Sequence, residues 1–124
     1  VWSPDGRTLA VEIKRGDQTQ VGIVASAGGT VEPVTADVGQ SWPHSWSPDG
    51  LRIAFAGERN GIWNIYSVSA TSETVTPLTR LTSSSGWVRY PAWSPDGTRI
   101  VFERNVQTGT IWTMMLPQPS EATE

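Results

Sequence analysis

The sequence predicts an all-β chain of repeated four-stranded sheets, and three observations carry that expectation. The pentapeptide Trp-Ser-Pro-Asp-Gly occurs three times, beginning at Trp2, Trp46 and Trp93, so it recurs after 44 and then 47 residues. Each copy is followed by the same order of short apolar runs and polar, Gly-bearing loops. No stretch carries a sustained helical period with caps.

Each element of the repeat follows from its residues. A brief first strand is expected to end at the Trp-Ser pair. Pro-Asp-Gly then supplies a turn, with Pro presetting φ and Gly6, Gly50 and Gly97 accepting a positive φ. Asp5, Asp49 and Asp96 recur with that turn. They are expected to take hydrogen bonds from the turn backbone, because a calcium loop needs several oxygen ligands and no turn supplies a second acid. The second strand is the run Leu9-Ala10-Val11, Ile53-Ala54-Phe55 or Ile100-Val101-Phe102. The third is the apolar segment at 21–25, 62–68 or 111–116, rich in the β-branched and aromatic residues that strands favour. A weaker fourth strand is read around 30–35 and 73–79. It closes on Pro33-Val34-Thr35 and Pro77-Leu78-Thr79, which hold equal offsets from Trp2 and Trp46.

Four strands in about 40–45 residues is the period of a propeller blade. One such sheet has two faces and cannot bury both alone. Radial stacking lets each sheet cover its neighbours, which accounts for the absence of a polar face in Ile53-Ala54-Phe55. We therefore expect β-propeller blades of four antiparallel strands at 1–36, 42–82 and 88–117, with 118–124 as a frayed tail.

Composition narrows the function. Nine Lys and Arg against twelve Asp and Glu give a formal net charge of −3, with no dense basic cluster. This argues against nucleic-acid binding, which rests on clustered cations and counterion release. No run approaches the roughly 18 apolar residues of a membrane span. The chain has no cysteine and a single histidine. Thiolate chemistry is absent, and neither a metal site nor a bound cofactor is expected. No Gly-x-Ser-x-Gly elbow is present, so no catalytic residue is assigned.

The middle repeat carries a family resemblance through Trp46 to Gly50, Ile53-Ala54-Phe55, Arg59-Asn60-Gly61, Ile65-Tyr66 and Leu78-Thr79. It resembles the WD40-like repeat of TolB-type propellers, which also occurs in tricorn-type proteases and in relatives of prolyl oligopeptidase. The resemblance implies a six-bladed ring, of which three blades are half. It also implies a periplasmic or extracellular location, although no signal segment is read in the chain. The missing blades are expected either from a longer parent chain or from a second copy in a homodimer.

The seven tryptophans fall into classes. Trp2, Trp46 and Trp93 hold equivalent positions and are expected between blades. Trp63 and Trp112 fall in third strands, as core or half-buried residues. Trp42 and Trp87 fall in segments read as connections, 37–43 and 80–91, which lead into the next inner strand near the channel mouth. Aromatic and Arg anchors there suit recognition. The candidate binding patch is therefore Trp42, His44, Trp87, Arg89 and Tyr90, flanked by Arg15, Arg59 and Arg104 on neighbouring loops. The rival expectation is that Trp42 and Trp87 fill gaps between blades. A non-catalytic scaffold for a protein or peptide partner leads the functional readings. The alternatives are an accessory or gating propeller of a peptidase or other α/β-hydrolase, and a carbohydrate-binding propeller.

Overall fold

The computed structural model describes residues 1–36 and 38–106, and none of these is helical. Their strands are β1 (Thr8–Arg15), β2 (Gln18–Ala25), β3 (Glu32–Pro33), β4 (Gln40–Trp46), β5 (Arg52–Arg59), β6 (Ile62–Ser69), β7 (Val75–Pro77), β8 (Gly86–Trp93) and β9 (Ile100–Val106). They form three antiparallel sheets in chain order: β1-β2-β3, β4-β5-β6-β7 and β8-β9. The middle sheet is a complete four-stranded blade. In the first sheet an isolated antiparallel bridge joins Trp2 to Leu9. The third-strand segment 111–116, Trp112 and the tail lie outside the described residues.

The turns are built alike three times. The Ser3, Ser47 and Ser94 hydroxyls donate to Asp5, Asp49 and Asp96 at 2.7, 2.5 and 2.6 Å. The backbone N–H groups of Arg7, Leu51 and Thr98 donate to the same carboxylates at 3.0 Å. Gly6, Gly50 and Gly97 take φ of +69°, +72° and +71°. The serine hydroxyls and these backbone donors hold all three carboxyls below their usual range, Asp96 to about 2, where the Thr98 hydroxyl adds a third donor. The recurring Asp is thus satisfied by its own turn.

The closing threonines repeat as well. Thr35 and Thr79 accept the backbone N–H of Val21 and Ile65, each at 2.9 Å. These bonds tie the end of the short fourth strand to the middle of the third.

The inner strands are longer than the sequence led us to expect. β4 begins at Gln40 and β8 at Gly86, so Trp42 and Trp87 are strand residues and not loop residues. The cause is the long second strand, whose far end pairs Glu58 with Gln40 and Val106 with Gly86. Gly39 and Gly86 each stand seven residues before the blade's Trp. A Cβ at either would collide with a backbone carbonyl of the second strand, Glu58 or Asn105. Glycine there lets the chain enter the ladder.

Blade stacking buries both faces of β5. Ile53, Ala54, Phe55 and Ala56 are fully buried. Ile53 and Phe55, with Trp46 and Val68, pack on Ala10, Val21 and Val34 of the first blade. Ala56 and Ile65 pack on Val88 of the third. Trp46 also donates its indole N–H to the Val1 carbonyl at 3.1 Å, so it sits between blades as expected. Trp93 is half-buried, with the Arg52 guanidinium 4.8 Å from its ring centre. Trp2 departs from the expectation. It is 58 % exposed, because no sheet covers its side among the described residues.

Candidate functional site

The candidate residues gather where β4 and β8, the inner strands of the second and third blades, run beside each other. Both strands carry a proline, Pro43 and Pro91, which lacks the N–H that a ladder position needs. The pairing slips there, between Pro43 and Ser45 in β4 and between Arg89 and Ala92 in β8. Such bulges re-aim side chains. His44 falls inside the first and Tyr90 inside the second, with Tyr90 at a left-handed φ of +55°. Their rings meet edge-on, with centroids 5.4 Å apart. Tyr90 is 57 % exposed. Burial lowers the His44 pKa from its ordinary value, so the imidazole is neutral at neutral pH, and its Nε2 has no hydrogen-bond partner.

A second group adjoins this pair. Trp42 pairs across the ladder with Ala56, whose small side chain leaves room above it. Over that space Trp42 meets Trp63 of β6, centroid to centroid at 4.5 Å and tilted by 50°. The Arg89 guanidinium stands 4.9, 4.7 and 4.8 Å from the ring centres of Trp42, Trp63 and Trp87. Cations within about 6 Å of an indole face are attracted by its quadrupole. Arg89 and the three tryptophans are all half-buried, so the cluster both fills the seam and reaches its edge.

Five predicted residues, Trp42, His44, Trp87, Arg89 and Tyr90, therefore occupy one seam. The flanking arginines do not join them, and none lies in a loop. Arg15 ends β1 and is exposed, and Arg104 lies within β9, also exposed. Arg59 ends β5 and turns inward, donating to the Gln40 carbonyl at 2.7 Å and the Ser41 hydroxyl at 2.9 Å. It clasps the start of β4. The sequence reading placed Trp63 in a third strand but missed its place in the cation cluster. The signal lay in the register, which sets Trp63 on the same face as Ala56. A shallow cleft of about 460 Å³ continues the site toward the first blade, between Ala10 and Glu12 of β1 and Trp42 to His44 of β4.

Among the described residues no group of three or more His, Cys, Asp or Glu could hold a metal. The site offers aromatic surface, a guanidinium and an imidazole, a set whose chemistry suits polar and apolar groups together.

Comparison with known proteins places this architecture. The protein Atu1656 of Agrobacterium fabrum (strain C58), itself uncharacterized, is 35 % identical over 78 residues, which are 62 % of this chain and 26 % of that protein. The uncharacterized peptidase YuxL of Bacillus subtilis (strain 168) is 47 % identical over 54 residues, 42 % of this chain and 8 % of the peptidase. The chain thus spans about a quarter or less of these curated relatives. Among solved structures, the putative TolB from Agrobacterium tumefaciens superposes with a TM-score of 0.70 at 29 % identity, over 85 % of this chain and 40 % of that one. TolB from Acinetobacter baumannii gives a TM-score of 0.71 over 87 % of this chain and 26 % of that one. At 22 % identity it attests the fold alone. The profile of the TolB beta propeller domain matches residues 1–122. Stacked antiparallel blades, repeated tryptophan turns and this match lead to one conclusion: the chain belongs to the TolB β-propeller domain family.

Proposed function

We propose that this propeller segment is a non-catalytic scaffold that binds a protein or peptide along the seam between its inner strands. One observation carries the reading: both inner strands bulge at a proline, and the bulged residues His44 and Tyr90 face each other with Tyr90 57 % exposed. Bulges cluster where a side chain has a task other than pairing, and exposed Tyr is a frequent anchor at interfaces. In this reading the described sheets, whose second and third blades begin at Gln40 and Gly86, belong to a ring completed by further blades of a parent chain or by a second copy. A periplasmic location accords with family membership.

The test is selection of peptides from a displayed library on the full chain, followed by measurement of the winners on Tyr90→Ala and His44→Phe. Loss of binding to Tyr90→Ala at an unchanged unfolding midpoint supports the proposal. Equal binding to wild type and Tyr90→Ala refutes it.

A second reading draws on the 47 % identity with a Bacillus peptidase over 54 residues. Here the segment is an accessory blade set beside a catalytic domain carried elsewhere on the parent. Peptidase activity of the parent chain that changes on Tyr90→Ala would favour this reading over a free-standing scaffold.

A further inference from the structure

We infer that Arg89 is a receptor for a carboxylate of the bound partner, held in place by three indole rings; the inference rests on the peptide-binding reading above. A guanidinium carries five N–H donors in a planar fork that matches a carboxylate. In most proteins those donors are taken up by acceptors of the same chain. Here the guanidinium lies among Trp42, Trp63 and Trp87, 4.7 to 4.9 Å from each ring centre. Indoles stabilise its charge through their faces but offer no carbonyl or carboxylate to its donors.

Those donors are vacant. Nε is buried without a partner, and the terminal nitrogens, likewise unpaired among the described residues, are not sealed from solvent. Arg89 stands opposite Glu103 in the β8–β9 ladder, yet the two form no ion pair. The fork is therefore oriented by packing and not taken up by the acid opposite it in the ladder. A group that needs no reordering on binding gives its partner more of the interaction energy. Glu103 also sets the ligand's charge. One cation with one acid across the ladder suits a monoanionic carboxylate better than a dianionic phosphate, and a bidentate fork supplies the geometry. The exposed Tyr90 beside Arg89 adds an apolar surface for the chain that bears the carboxylate.

The carboxylate has two peptide sources, a chain terminus or an Asp or Glu side chain, and the test separates them. The full chain, labelled with nitrogen-15, is titrated with N-acetyl-trialanine as the free acid, with the same peptide as its C-terminal amide, and with N-acetyl-Ala-Asp-Ala-amide. The signal followed is the Arg89 Nε–H, which the three rings shield. The free acid or the Asp peptide shifts this signal to saturation, and the neutral amide does not. Arg89→Lys keeps the charge but loses the fork, and weakens acid binding by about tenfold. Equal shifts with acid and neutral amide, or an unchanged affinity in Arg89→Lys, overturn the inference. Where Arg89→Lys loosens the seam, seen as a lowered unfolding midpoint, Glu103→Gln decides. Roughly threefold tighter acid binding supports the receptor, and unchanged affinity rejects it. Library peptides that bind through Tyr90 but ignore Arg89→Lys and terminal amidation defeat this inference and leave the scaffold reading intact.

Discussion

The two seams flanking the middle blade use one strand in opposite ways. Toward the first blade, β5 presents Ile53 and Phe55, which with Trp46 and Val68 meet Ala10, Val21 and Val34 in an apolar contact. Toward the third blade it presents Ala56, and the space left is occupied by Trp42, Trp63 and Arg89. Alternation along a strand sends neighbours to opposite faces. A pattern of large, small, large, small thus makes one face a core and the other a socket. The difference teaches how alternation along one strand gives a packed apolar core on one face and an aromatic–cation cluster on the other.

Four outcomes sharpen or break that contrast, in order of size. Phe55→Ala empties the core seam and should cost about 3–5 kcal/mol, read as a lower denaturant midpoint at constant slope. A cost near zero would deny that this seam holds the blades together. Ala56→Leu overfills the socket and should cost about 1–3 kcal/mol. It should also change tryptophan emission by parting Trp42 from Trp63. Gly50→Ala, in the turn of the middle blade, faces no clash beyond an ordinary contact with Pro4 of the first blade. Its cost of about 1 kcal/mol comes from the positive φ alone.

The smallest effect is that of pH on the socket. Burial depresses the His44 pKa below 6.5, so the unfolded chain takes up that proton first. Stability should be complete above pH 6.5 and fall as the pH drops through the folded-state value. His44→Phe keeps the aromatic contact with Tyr90 and should remove this step. A second decline, below the ordinary carboxylate value of 3.8, belongs to Asp5, Asp49 and Asp96 and should persist in the variant. An identical pH profile for wild type and His44→Phe would show that the imidazole does not feel its burial.

Much of the fold was legible because its determinants are local. The Trp-Ser-Pro-Asp-Gly turn closes on its own serine and aspartate, and the Pro-apolar-Thr signature bonds back to the strand before it. Both can be read within a few residues. The inner strands were not fully legible. Gln40 to Trp42 and Gly86 to Val88 look like connections, since Gly and Pro flank them and no alternation is visible. They become strands only because β5 and β9 extend far enough to pair with them. The placement of Arg59 was not legible for a related reason. Arg59 looked like a loop residue for a ligand, but a partner strand beside it supplies acceptors that draw it inward.

The sequence by itself determined the blade: the strand order, the turns, the closing threonines and the need for each sheet to be covered on two sides. It also marked which tryptophans depart from the repeat. Only the tertiary structure decided what those tryptophans do. Trp42, Trp63 and Trp87 come from three different strands, and Arg89 lies among them because two blades stack with Ala56 between. That meeting depends on register across sheets, a distance that no local pattern of residues encodes.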